Sequence, residues 1–391
     1  MKNVLQADLE GKKVAVRSDL NLPIEDGEPV KNLRLEKYAE SIEKISEKGA
    51  KVVVLAHQGR PGRKDFRSLK NHAELLGDVI GKEVGFVKSF FSEELKEKFG
   101  EMENGDVVLL ENVRLLSEEL RNGTVEEHSE NLFVKRLEEN FDVFVNDGFS
   151  VAHRPHGSMM GFMKRNKTFP GPLMVEEVEK CRTARDTLEN PVLVLGGAKP
   201  ADLVSMLEKM IERAEKVVLG GIPGEVALKL KGEKIDKKYE WIKDKELNEG
   251  EERFKQLLRE YGEKFVVPED LATGKGNKDV SRLTGEEMVW DIGPKTAEKY
   301  SKIIKEANAV VMKGPMGAYE EGYRKGSLTV LKAMKEAEGF TLLGGGHTST
   351  LLNETDYSVK DFSHVSIAGG AFVRFMSGQD LPVLEALNRF S

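Results

Sequence analysis

Short apolar runs alternate with longer amphipathic segments from one end of the chain to the other, and this alternation constrains the fold more than any other feature. In the first half the runs are Val14–Val16, Val52–Leu55, Val107–Leu110 and Val143–Val145. In the second half they are Val192–Leu195, Val217–Leu219, Phe265–Val267, Val310–Met312 and Phe340–Leu343. The segments between them carry helical periodicity, as in LRLEKYAESIEKISEKG. Strands that read as unbroken apolar runs are buried on both faces, and helices between them make crossovers, so the pattern implies parallel sheets covered by helices. The chain has 391 residues, and at ~100–200 residues per domain this suggests two domains. The charged stretch EEVEKCRTARDTLE, preceded by FPGP, reads as the helix that joins them. The expected fold class is α/β, with two doubly wound parallel-sheet (Rossmann-like) domains joined by a hinge helix. The boundaries are 1–173, 174–189 for the helix, 190–376, and a C-terminal segment 377–391.

Composition narrows the function. Lys and Arg number 60 against 67 Asp and Glu, a net charge of −7, which argues against nucleic acid as partner. There is no run of about 18 apolar residues and no signal-like hydrophobic segment, so neither a membrane span nor export is expected. The single cysteine, Cys181, allows no internal disulfide and fits a reducing cytoplasm.

In open α/β sheets, ligands bind beyond the carboxyl ends of the strands. The segments that follow the first four runs are RSDLNLP with NLRL, AHQGRPGR, ENVRL and NDGFSVAHRPHGS. They bring Arg34, Arg60, Arg114 and Arg154, with His57 and His153, to one face. A lone arginine after a strand is most often solvated surface, but four at successive strand ends of an acidic chain point to a ligand. Guanidinium forks match phosphate and carboxylate oxygens, so the implied ligand is a small polyanion. Asp19 and Asn21 in the same rim suit a ligand that also has a hydroxyl to hold.

The second half supplies glycines: GGAKPAD, GGIPGE, KGPMGAYE, GGGHTS and AGGA, each after a strand or opening a helix. Helix N-termini with close backbone approach favour phosphate, and five such sites in one domain suggest a nucleotide. GGGHTS lacks the third glycine of the dinucleotide fingerprint, and no Walker-type loop occurs. His153 and His156 lack companions at metal-ligand spacing, so no side-chain metal site is expected. A polyanion on one domain and a nucleotide on the other imply phosphoryl transfer, which needs positioning and charge neutralisation more than a dedicated nucleophile.

The blocks VRSDLNLP, NLRL, AHQGRP, ENVRL, VNDGFSVAHRPHGS, LGGAKPAD, WDIGPKT, KGPMGAYE, GGGHTS and HVSIAGGA, in this order from Lys13 to Leu387, resemble phosphoglycerate kinases, with departures similar to the archaeal branch. The resemblance implies reversible transfer between 1,3-bisphosphoglycerate plus ADP and 3-phosphoglycerate plus ATP, in glycolysis and gluconeogenesis, with Mg²⁺ accompanying the nucleotide. Two other readings stay open: a non-catalytic phosphometabolite-binding protein, and a kinase of another small phosphorylated acid. By resemblance Asp19 and Asn21 would hold the glycerate hydroxyl and carboxyl end, with Arg34 in the substrate site close to the transferring group. His57, Gln58, Gly59, Arg60, Arg114 and Arg154 would complete the substrate site around the non-transferred phosphate. Arg34 and Lys199 would be catalytic, stabilising the phosphoryl group in flight. Lys199, Gly220, Gly221, Pro315, Glu320, Gly345, Gly346, His347, Thr348, Gly369 and Gly370 would bind the nucleotide, with Glu320 on the ribose. The segment 377–391 would return to the first domain, and a monomer is expected.

Four positions depart from the commoner pattern of this family. Leu203 stands where many relatives carry a second lysine, and Lys313 where asparagine is usual. Ala368 replaces the first glycine of a triplet, which is tolerated if its φ is negative. His347 stands where most relatives have a magnesium-binding Asp, and neutral imidazole is a poor ligand for that hard cation. The expectation is that phosphates and water hold the metal, while His347 donates to a phosphate.

Overall fold

The computed structural model describes residues 2–345, 351, 352 and 354–391. It divides into two units, Met1–Glu179 with Asp380–Ser391, and Lys180–Gln379. Among the described residues no helix is long and apolar enough to cross a membrane.

The first unit contains β1 (Lys13–Arg17), a two-residue ribbon β2 (Ile24–Glu25) with β3 (Glu28–Pro29), then β4 (Lys51–Leu55), β5 (Val84–Val87), β6 (Val107–Leu110), β7 (Val143–Asn146) and β8 (Lys167–Pro170). Six of these form one sheet in the order β5-β6-β4-β1-β7-β8, parallel throughout. Val14 pairs with Val52 on one side and Val143 on the other. β1, β4, β6 and β7 are almost wholly buried, which is why they are continuous apolar runs. β5 and β8 are the edges. VGFV and KTFP carry a glycine and a closing proline and are apolar only in part, so no run marks them. Between β1 and β7 the strand order changes direction, and in open α/β sheets ligands bind beyond the strand ends at such a point.

Helix Leu33–Ser46 follows β1. Asn32 caps it by accepting the N–H of Leu35 at 3.1 Å, and Leu35, Tyr38, Ala39, Ile42 and Ile45 bury one face at helical spacing. Helix Pro382–Phe390 also belongs to this unit. The Val383 N–H reaches the Ala152 carbonyl at 3.3 Å, and Arg389 pairs with Glu126 at 2.9 Å.

The charged stretch expected to form one joining helix is in two parts, an α-helix Pro172–Arg182 and a π-helical turn Thr183–Thr187. Proline suits a first helical position, so the helix begins earlier than the charge pattern suggests. Its end is rewound because Arg213 takes up carbonyls there, donating to Arg185 O at 2.6 Å and to Leu188 O.

The second unit contains β9 (Val192–Leu195), β10 (Lys216–Leu219), β11 (Phe265–Val266), β12 (Asp270–Thr273), β13 (Gly276–Asp279), β14 (Val289–Ile292), β15 (Ala309–Lys313), β16 (Phe340–Gly344) and β17 (His364–Val365). Its main sheet runs β11-β10-β9-β15-β16-β17, the order of a dinucleotide-binding fold, with the switch point between β9 and β15. A separate antiparallel sheet, β13-β12-β14, is not anticipated by any apolar run. DLAT and GNKD are too polar and short to register, and they pair because Gly276, at φ +101°, turns the hairpin. The WDIGPKT block belongs to this region and is architectural. Asp291 accepts the N–H of Gly326 at 2.9 Å. Asp270 accepts Thr296 N–H at 2.8 Å and Lys295 N–H at 3.1 Å, capping helix Pro294–Glu306.

Candidate active site

In the first unit, β1 ends on Arg17, a buried arginine that no motif spacing singles out. Its Nε donates to Ser158 Oγ at 2.7 Å and a terminal amine donates to Ser18 O. The other terminal nitrogen lies 3.2 Å from His57 Nδ1 and 3.9 Å from Glu119 Oε1. Glu119 is itself fully buried and accepts both the N–H and the hydroxyl of Ser158, at 2.6 and 2.8 Å.

Asp19, two residues further on, is the hub. It accepts from Arg34 and from the Ser150 hydroxyl, takes the Asn21 N–H at 3.2 Å, and lies 3.7 Å from His57 Nδ1. Burial pushes its carboxyl up, but Arg34, His57, Ser150 and Arg17 together hold it well below the usual carboxylate range. Arg34 reaches it from the first turn of helix Leu33–Ser46, and Tyr38 one turn on meets Ser150 at 3.2 Å. Burial drives the His57 imidazole well below its usual range, and Arg17, Arg114 and Arg154 push the same way. His57 is therefore neutral near pH 7. Since Arg17 donates to Nδ1, the ring proton sits on Nε2.

The loop after β4 is braced from within. Gln58 is wholly buried: its Oε1 accepts Leu22 N–H at 2.8 Å and its amide donates to Leu22 O at 3.0 Å. Its side chain thus holds two loops together. Gly59 gives its N–H to Asn21 Oδ1 at 2.8 Å and its carbonyl to Arg114. With φ +65° and an added Cβ 2.5 Å from the Asp65 backbone, no other residue fits there without strain. Arg60 is exposed at the rim. Burial pulls the Arg114 guanidinium down to about 10, with Arg154 and Arg17 adding to the effect. Arg154 is lowered by burial and by Arg60. His156, not assigned as a ligand from the sequence, is held down to about 3 by burial and by Arg114 and Arg154. These partly desolvated guanidinium groups repel one another, and Asp19 and Glu119 are the carboxylates that oppose them. An anion placed among them would relieve that repulsion.

In the second unit three glycine turns interlock at the switch point. Gly196 N–H reaches Lys313 O at 2.9 Å, Gly197 N–H reaches Pro315 O at 2.7 Å, and Gly221 N–H reaches Met316 O at 2.7 Å. A Cβ on Gly196 would stand 2.1 Å from Pro315 O, and one on Gly314 2.4 Å from Gly196 O. These glycines serve each other's packing first, each leaving out a side chain where neighbouring backbone comes close. Gly220 is the N-cap of helix Gly221–Leu230 and Lys199 that of helix Pro200–Met210. Lys199 is exposed. Lys313 ends β15 half-buried; burial lowers its ammonium, Asp202 opposes, and Lys199 adds to the lowering, so the two lysines share one electrostatic neighbourhood. Leu203 is 2% exposed and lines an apolar void with Leu195, Leu207, Leu219 and Phe254. It is core, and no cation stands there.

Pro315 is buried and Glu320 is exposed on the turn Tyr319–Glu321. Gly345 follows β16 at φ +99°. Gly369 is the N-cap of helix Gly370–Met376, and Ala368 before it is buried without a positive φ, as its replacement of glycine requires. Gly346, His347 and Thr348 lie outside the described residues. Among the described residues no group of three or more His, Cys, Asp or Glu could hold a metal ion.

A sheet in dinucleotide-fold order with glycine turns at its switch point, in one chain with a second doubly wound unit whose strand ends gather mutually repelling arginines, defines the class of α/β phosphotransferases. The family model described as phosphoglycerate kinase matches residues 4–379. The chain is 38% identical to the phosphoglycerate kinase of Halorubrum lacusprofundi, over 96% of its own length and 95% of the relative's. It is 38% identical to that of Archaeoglobus fulgidus, over 97% and 94%. The crystal structure of phosphoglycerate kinase from Pyrococcus horikoshii OT3 superposes with a TM-score of 0.92 at 33% identity, covering 99% of this chain and 98% of that one. The chain belongs to the phosphoglycerate kinase family.

Proposed function

We propose that the first unit binds 3-phosphoglycerate and 1,3-bisphosphoglycerate, that the second binds ATP and ADP, and that the phosphoryl group passes reversibly between them. The observation that carries this reading is the set of desolvated, mutually repelling guanidinium groups at the strand ends of the first unit. His57 through Nε2–H, Arg60, Arg114 and Arg154 bind the non-transferred phosphate. Asp19 and Asn21 hold the glycerate hydroxyl and carboxyl end, while Gln58 and Gly59 keep the loop in place. The attacking atom in the ATP-consuming direction is a carboxylate oxygen, already ionised near neutral pH, so no general base is needed. Arg34 and Lys199 stabilise the charge of the phosphoryl group in transfer. Gly220, Gly221, Pro315 and Glu320 receive the nucleoside, and Gly345, Gly346, His347, Thr348, Gly369 and Gly370 the phosphates. Magnesium arrives as part of the nucleotide substrate, on phosphates and water, with His347 donating to a phosphate oxygen. The enzyme works as a monomer in the cytoplasm, consistent with a single, buried cysteine.

Binding of the acid alone tests the assignment of the first unit. A ligand at a hundredfold its Kd stabilises the folded state by about 2.7 kcal/mol. We therefore expect 3-phosphoglycerate, without nucleotide, to raise the melting temperature. Arg154→Met, which removes a half-exposed side chain, is expected to abolish most of that rise while leaving the unliganded midpoint in place. Equal protection of both proteins contradicts the assignment.

A further inference from the structure

Both tryptophans of the chain enclose one buried lysine in the second unit. Lys238, in the first turn of helix Asp236–Asp244, is 2% exposed. Its Nζ lies 4.4 Å from the ring centre of Trp241 and 5.0 Å from that of Trp290. The nearest carboxylate oxygen, Glu225 Oε2, is 3.6 Å away and is likewise buried. An ammonium removed from water is costly unless its surroundings replace the lost solvation. Here two indole faces and one carboxylate do so.

The elements joined by this charge frame the nucleoside end of the second unit. Glu225 lies on the helix that Gly220 caps. Trp290 stacks on Tyr323 with centroids 5.5 Å apart and rings 14° from parallel. The Trp290 carbonyl accepts the Ala318 N–H at 2.7 Å, and the Tyr323 N–H returns to Ala318 O at 3.2 Å. The turn that carries Glu320 is therefore docked on Trp290 by a ring and by backbone. One lysine thus ties the Gly220–Gly221 turn to the Glu320 turn.

We propose that Lys238 is a positioning residue for the nucleoside: clamped between Trp241 and Trp290 and paired with Glu225, it sets the gap between the Gly220–Gly221 turn and Glu320. This rests on the assignment of those residues to the nucleotide. In the full chain, Lys238→Met is expected to raise the KM for MgATP about tenfold. The kcat and the KM for 3-phosphoglycerate are expected to stay within about twofold. Tryptophan emission is expected to shift, because both indoles lose the charge on their faces. Lys238→Arg keeps a charge that stacks on aromatic rings and is expected to restore the MgATP KM to within about threefold of wild type. An unchanged MgATP KM in Lys238→Met overturns the inference. So does a parallel loss of every kinetic parameter that arginine does not rescue, which marks a packing role only. Glu320→Ala is measured alongside. If it raises the MgATP KM and Lys238→Met does not, this inference alone fails; if neither does, the nucleoside assignment fails with it.

Discussion

Arg34→Ala is expected to lose about a hundred- to a thousandfold in kcat, the usual effect of removing one charge-stabilising contact to a transition state, while the protein stays folded. The side chain is 20% exposed and meets Asp19 and Ser150. It contributes nothing to the apolar face that seats its helix, which is formed by Leu35, Tyr38, Ala39, Ile42 and Ile45. Truncation leaves Asp19 accepting from Ser150 and the Asn21 N–H, with the Arg17 charge still favouring its ionised form, so the hub keeps partners. On the proposed assignment, the transferring group loses one of its two stabilising cations. Steady-state kinetics with far-ultraviolet circular dichroism separates the two effects. Near-normal turnover in a folded variant contradicts the role given to Arg34.

The second large effect is on stability. Arg17 and Glu119 lie 3.9 Å apart and are 2% and 0% exposed at their side chains. Burial lowers the arginine and raises the glutamate although each attracts the other, so desolvation outweighs their attraction. A pair of this kind adds little net stability, yet removing one partner typically costs about 3–5 kcal/mol because the other charge is left uncompensated. Arg17→Met is expected to show a loss of that size in urea unfolding. His57 would also lose the donor that fixes its tautomer, so affinity for 3-phosphoglycerate is expected to fall. The double variant Arg17→Met, Glu119→Gln removes both charges while keeping an acceptor for the Ser158 N–H, and is expected to regain most of the stability and none of the affinity. A single-variant loss under about 1 kcal/mol contradicts this account of the pair.

The core of both sheets could be read from the sequence because strands buried on both faces must be apolar throughout, and Val52–Leu55 and Val192–Leu195 carry that signal with no tertiary help. Of the edge strands only β11 is marked by an apolar run, Phe265–Val267; β5, β8, β17 and β12–β14 carry no such signal. They depend on hairpin geometry and on neighbouring elements rather than on their own composition. The arginine rim was legible because cations repeated at the carboxyl ends of successive buried strands gather on one face, where an anionic ligand relieves the repulsion that Asp19 and Glu119 offset in part. Arg17 and Glu119 were not. An arginine closing the strand KVAVR and a glutamate within SEEL look like ordinary surface residues until the fold buries them together. Lys238, in KKYEWIKD, is hidden in the same way. The glycine turns were legible as turns, but their first task, letting Gly196, Gly197, Gly221 and Gly314 pack on adjacent backbone, emerges only in three dimensions.

The central claim is phosphoryl transfer from ATP to the carboxylate of 3-phosphoglycerate. A coupled assay with purified protein, ATP, Mg²⁺ and 3-phosphoglycerate tests it most directly, with parallel reactions lacking the acid or supplied with other small phosphorylated acids. ADP formation that depends on 3-phosphoglycerate and exceeds that with the other acids is the expected result. No ADP formation on adding 3-phosphoglycerate, or faster turnover of a different phosphorylated acid, contradicts the account.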